Sequence, residues 1–173
     1  MITFEEDIRN DNIKDIAKML MTAARTAPKA RGVDNMVLAV ATDEAIVDIA
    51  NKMRQLAVER DMEFFSRDAD NITNSGAIVL FGMKICPLGL NCGACGFPTC
   101  GEKPKNVPCF FNANDLGIAI GSAVSLAADM RVDNRVMFSV GQAVLALDMM
   151  PQCNMVLALP LAVKGKSIFF DRE

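Results

Sequence analysis

The sequence predicts a mixed α/β layered domain interrupted by a cysteine-rich insertion. Three observations lead to this. Segments with apolar residues at helical spacing alternate with short, continuous apolar runs. All periodicity stops between about residues 84 and 112. Five of the six cysteines fall inside that interval.

The first regular element is a helix over 13–27, where Ile13, Ile16, Ala17, Leu20, Ala23 and Ala24 share one face. Asn12 is a suitable cap, and Pro28 ends the segment. Met36–Ala41 is a continuous apolar run and predicts a buried strand. Thr42 or Asp43 then caps a helix bearing Ile46, Ile49, Ala50, Met53, Leu56 and Ala57, through about Arg60. Ala77–Met83 predicts a second buried strand.

Residues 84–112 contain glycines and four prolines, which rule out a regular element, and a loop this long needs something to hold it. Order resumes with Asn114 or Asp115 capping a helix from Leu116 to about Met130. That helix is rich in small residues. A glycine inside a helix costs about 1 kcal/mol relative to alanine, so Gly117 and Gly121 are expected to have a packing reason. Arg131–Arg135 reads as a helix-ending turn with local ion pairs in preference to a ligand contact. A helix from about Val140 to Met149 and a strand over Asn154–Val163 follow. Pro160 places that strand at an edge or bulge. Ser167–Phe170 is read as a last strand.

The chain has no histidine and no tyrosine. That removes every mechanism built on imidazole or phenol and leaves thiolate as the only soft metal ligand. The tight core of the insertion is Cys92-x2-Cys95-x4-Cys100. Cys-x2-Cys lets two sulfurs on one turn point the same way, and Gly93 and Gly96 permit the backbone such a turn needs. Zinc usually takes two well-separated Cys-x2-Cys knuckles, whereas one knuckle plus a lone cysteine suits an iron–sulfur cluster, with zinc as the alternative metal. The fourth ligand is Cys109, with Cys86 as the alternative. Lys84, Lys103 and Lys105 flank the loop against Glu102 alone, a local positive charge that offsets an anionic cluster and attracts an anionic partner. Cys153 stands apart and reads as a small buried apolar residue.

A net charge of −3 supplies no electrostatic footprint for nucleic acid. The longest uncharged apolar run, Leu116–Ala128, is too short to span a bilayer. No secretion signal is visible, so a cytoplasmic, reducing location is expected. Apolar residues make up 51% of the chain, which suggests a subunit interface, and a homodimer is expected.

The stretch Asn91–Cys100, NCGACGFPTC, resembles the short ferredoxin-type motif N-C-G-x-C-G-x-x-x-C of redox subunits of anaerobes. Asp115–Ala143 together with Arg25–Asn35 resembles an uncharacterised family of ferredoxin-domain proteins from anaerobic bacteria and archaea. Ala23–Ala41 is more distantly similar to the helix–loop–strand of the nitroreductase fold. That likeness implies an α+β dimer with a mixed sheet flanked by helices, FMN at the subunit interface, and Arg25, Lys29, Arg31 and Asn35 as candidate FMN contacts. Residues 1–173 then form a single nitroreductase-like domain with an inserted iron–sulfur loop at 84–112. The resulting expectation is electron transfer through one [4Fe–4S] cluster. The alternatives are an FMN-plus-cluster oxidoreductase acting on a small substrate and a non-enzymatic protein with a structural zinc or cluster site. The partner is accordingly a redox protein or a small-molecule substrate.

Overall fold

The continuous apolar runs of the sequence become the strands of one sheet. The structure is a computed structural model and describes residues 1–170. Strands β1 (Met36–Ala41), β2 (Ala77–Lys84), β3 (Asp133–Asn134) and β4 (Cys153–Ala162) lie in the order β1-β2-β4-β3. Helices α1 (Glu5–Thr26) and α4 (Phe110–Asp129) cover one face. Helices α2 (Asp43–Glu59), α3 (Phe64–Thr73) and α5 (Phe138–Ala146) cover the other. In β2, Val79, Phe81 and Met83 point into the first layer and Ile78 and Leu80 into the second. Burial on both faces explains why β2 shows no polar alternation. Neither core contains a residue between Met83 and Leu116.

The fold is mixed α+β, but every named strand pairing among the described residues is antiparallel, where a mixed sheet was expected. Helix α3, which the sequence reading missed, supplies the reason. One crossover helix between β1 and β2 would leave the strands parallel. Two helices in succession return the chain to the end from which it left, so β2 runs back against β1, Met36 opposite Met83 and Ala41 opposite Ile78.

Several boundaries differ from expectation. Helix α1 begins at Glu5, so Asn12 lies inside it and is no cap. Its first two turns are solvent-exposed, with an acidic first turn that complements the helix dipole and an Arg9–Glu5 pair one turn apart. Helix α4 begins at Phe110 with Cys109 at its N-cap, so Asn114 and Asp115 are interior residues. Ser167–Phe170 forms a turn in which the Phe169 and Phe170 amides donate to the Ser167 hydroxyl, and it is not a strand. The 131–135 island makes no ion pair among the described residues. Asp133–Asn134 pairs with β4, while Arg135 donates to the Phe169 carbonyl at 3.3 Å and lies over the Phe170 ring.

Strand β4 is an inner strand, between β2 and β3, where Pro160 predicted an edge or bulge; the proline is tolerated because β3 is short. Ala158 exchanges both backbone bonds with Met137, so the missing donor of Pro160, two residues on, faces the same side. There it meets the gap between Asn134 and Met137, where no ladder bond is needed.

Helix α3 is fastened to α5 through a buried polar contact. The Ser139 hydroxyl donates to Asp68 Oδ2 at 2.6 Å, and the Arg67 guanidinium reaches Oδ1 at 2.8 Å. Asp68 is only 5% exposed. Ser139→Ala leaves a buried carboxylate oxygen without its donor, and an expected loss of about 1–3 kcal/mol should appear in denaturant unfolding.

Candidate metal centre

The loop begins where the sheet stops being regular. The β2–β4 ladder shifts register at Met83/Lys84, and the chain leaves the sheet there until α4 begins. Its first residues are tied to the domain by buried asparagines. Asn112 donates to the Cys86 carbonyl at 2.7 Å, and its own oxygen accepts from Asn35 at 3.4 Å. The Lys84 amide donates to the Asn35 carbonyl at 3.0 Å. The Arg31 guanidinium donates to the Leu88 carbonyl at 2.9 Å. Asp115, buried in α4, accepts the Ala30 amide with both oxygens at 3.1 Å. The 3-10 turn Ala30–Gly32 is thereby clamped between α4 and the cysteine segment.

Four of the five clustered cysteines line one small cavity of about 10 Å³: Cys92, Cys95, Cys100 and Cys109. Leu88, Leu90, Phe97 and Phe111 complete its apolar wall. Cys86 does not line it; that thiol is exposed, and its nearest acceptor is the Pro87 carbonyl at 4.0 Å. Among the described residues, no three Cys, Asp or Glu side chains close on one point as a ready-made single-ion site. The four thiols share the lining of one cavity without converging.

The turn carrying Cys92 and Cys95 needs its glycines. Gly93 and Gly96 have φ of 70° and 87°, and the Gly96 amide donates to the Gly93 carbonyl at 2.9 Å. Asn91, also left-handed at φ 48°, closes the turn onto the third cysteine. Its side-chain oxygen accepts the Cys100 amide at 2.8 Å, and its own amide donates to Cys100 Sγ at 3.4 Å. The sequence places Asn91 in the ferredoxin-type motif but gives it no role. The available signal was an asparagine directly before Cys-x2-Cys, a residue type that tolerates positive φ and caps local backbone. Asn91→Gly keeps the backbone conformation and loses the acceptor, so any iron held through Cys100 should be bound roughly 10–100-fold more weakly with the fold intact. Iron retention during competition with a chelator measures this.

Cys109 is placed for ligation by the start of α4. Burial raises its thiol pKa, but the backbone N–H groups of Leu88, Asn112 and Phe111 and the charge of Lys103 outweigh this and hold it below the ordinary value. Lys103 is kept nearby because its ammonium donates to the Pro104 and Val107 carbonyls. Cys153 is buried, and burial pushes its thiol up against a smaller opposing effect of Lys84. A Cβ at Gly82 would lie 2.6 Å from Cys153 Sγ, so this cysteine is packed against β2 as a core residue.

The four residues named from the nitroreductase likeness each have polar partners within the chain. Arg25 pairs with Asp34 at 2.6 Å and donates to the Met36 carbonyl. Lys29 caps the end of α1 through the Ala24, Arg25 and Ala27 carbonyls. Arg31 and Asn35 turn to the cysteine segment, as described above. The loop these residues occupy is thus joined to the base of the insertion. Asn112 and Asp115, which do much of the joining, were also missed from sequence, since each polar side chain finds its partner more than 70 residues away.

A family profile described as "Uncharacterized protein containing a ferredoxin domain" (DUF2148) matches residues 105–172. An "Uncharacterized protein" of Archaeoglobus fulgidus is 38% identical over 99% of this chain and 98% of its own length. Nitroreductase A of Vibrio parahaemolyticus has a similar structure, with a TM-score of 0.58 at 15% identity over 89% of this chain. This chain spans only 60% of that one. A nitroreductase of Bacteroides fragilis with bound FMN gives a TM-score of 0.58 at 9% identity, covering 92% of this chain and 81% of that one. Identities this low establish the nitroreductase-like fold and nothing finer. The relative matched along its whole length and the profile over the C-terminal region agree: the chain belongs to the family of uncharacterized proteins containing a ferredoxin domain.

Proposed function

We propose that the protein passes single electrons through one [4Fe–4S] cluster held by Cys92, Cys95, Cys100 and Cys109. The observation that carries this reading is that these four thiols line one cavity and Cys86 does not. A cubane presents its irons at separate corners, so thiols that share one lining without converging suit it better than a single zinc ion, which needs each sulfur about 2.3 Å from one point. Bound there, the cluster supplies a one-electron carrier. The chain supplies the rest. Leu88, Leu90, Phe97 and Phe111 limit water, the Asn91 amide donates to a ligand sulfur, and the N–H groups around Cys109 favour its thiolate. Family membership supports the redox role. All six cysteines are free, which suits a reducing cytoplasm, and no helix among the described residues is long and apolar enough to cross a membrane. Protein purified without oxygen should be brown, with stoichiometric iron and sulfide. Colourless protein, or protein holding one zinc, overturns the assignment.

A second reading adds FMN, which would make the protein an oxidoreductase for a small substrate. It is supported by the fold shared with a nitroreductase that binds FMN and by the Arg31–Leu88 contact between the corresponding loop and the insertion. Quenching of FMN fluorescence on titration tests it, and no saturable quenching leaves the cluster reading alone.

The same reading includes a homodimer through the outer face of α4. Gly117, Ile118, Gly121, Ser125 and Ala128 are exposed there, with the charged Asp129 at the end of the face. Apart from its own helix backbone and chain neighbours, no described atom lies within 4 Å of a Cβ built at Gly117 or Gly121, so nothing described in the chain packs against these glycines. Sedimentation should show twice the chain mass of 18.7 kDa, reduced to the single mass by Gly121→Leu. A monomeric wild-type protein overturns this.

A further inference from the structure

We infer that an acidic one-electron carrier protein docks on the cleft beside the cysteine loop and exchanges electrons through Cys100. The inference rests on the cluster reading above and adds the partner's chemistry and its port. Cys100 is the one cysteine that lines both the thiol cavity and a second cleft, of about 390 Å³, beside it. The other walls of that cleft are Ile85, Pro87, Gly101, Lys103 and Lys105. A carrier seated there has a ligand sulfur at its surface; the other cysteines of the cavity do not reach this cleft.

Charge decides what kind of carrier fits. The chain is net negative, yet Lys103 and Lys105 line this cleft and Lys84 directly precedes its Ile85, and none of the three forms an ion pair among the described residues. The nearby acid, Glu102, accepts the Thr99 hydroxyl at 2.8 Å. An acidic protein is therefore repelled by the molecule as a whole and attracted at this face, which orients the encounter as well as hastening it. Ile85, 49% exposed at the cleft wall, supplies the apolar contact that a short-lived electron-transfer interface needs. In the encounter one electron moves from the reduced carrier to the oxidised cluster. No bond is made or broken, and no proton is transferred.

The test uses the cluster-loaded protein and two reductants: a reduced, acidic plant-type [2Fe–2S] ferredoxin and reduced methyl viologen, a small cation. The variant is Lys84→Glu with Lys105→Glu; Lys103 is left in place because it braces the loop. The ferredoxin rate should fall about tenfold or more in the variant, and the wild-type rate should fall with added salt while the variant rate does not. Reduction by viologen should be unchanged or faster, with iron content equal in both proteins. Equal ferredoxin rates in the two proteins, a wild-type rate indifferent to salt, or an equal loss with viologen each overturns the docking site while leaving the cluster. Iron-free wild-type protein overturns both.

Discussion

Cys109→Ala should lower iron affinity by about 100-fold or more, beyond the 10–100-fold typical of groups outside the ligand set. Cys86→Ala should leave iron content and absorption unchanged. The two residues are alike in type and in distance from the central motif, and sequence alone ranks them only weakly. Structure separates them on two grounds. Cys109 opens into the cavity with the other three thiols, while Cys86 is exposed outside it. Cys109 also stands at the N-cap of a 20-residue helix, with backbone amides turned to it and its thiol held below its usual range. Iron and sulfide analysis of both variants, purified side by side without oxygen, decides between them. Loss of iron in Cys86→Ala with retention in Cys109→Ala would reverse the assignment.

Gly141→Ala should destabilise the fold by about 3 kcal/mol or more, or prevent folding. Helix α5 crosses β4 so closely that a Cβ at Gly141 would lie 1.8 Å from the Val156 carbonyl oxygen and 2.6 Å from its carbon. Both are backbone atoms of a central strand and cannot move aside as a side chain would. Alanine is the better helix former by about 1 kcal/mol, so local propensity argues for the substitution and the contact argues against it by a larger amount. Gly117→Ala and Gly121→Ala meet nothing within the chain and should stabilise the single chain by about 0.5–1 kcal/mol. Denaturant midpoints for the three variants give the comparison, and a Gly141→Ala midpoint equal to wild type would refute the steric argument.

What the sequence revealed, and what it hid, follows from how far apart the interacting residues lie. Strands β1, β2 and β4 were legible because burial on both faces leaves uninterrupted apolar runs. Helix α3 was hidden because its buried stripe, Phe65, Asp68, Ala69 and Ile72, includes an acid whose partner is on α5. The first turns of α1 were hidden because nothing there is buried except by one half-exposed ion pair, and two-residue β3 is too short for any periodicity. The cysteine site was legible because ligand spacing is local. Its supports were not, since the Asn35–Asn112 and Ala30–Asp115 contacts each join distant parts of the chain.

Neither hydrophobic core draws on the cysteine loop, and the loop's ends are fixed by β2, α4 and the asparagine contacts between them. If the proposed cluster is bound, this architecture separates the lifetime of the domain from that of the cluster. Air that destroys such a cluster should leave far-UV circular dichroism and the unfolding midpoint nearly unchanged. The polypeptide left behind would remain a folded receptacle able to take up a new cluster, so damage to the centre would be met by repair and not by new synthesis.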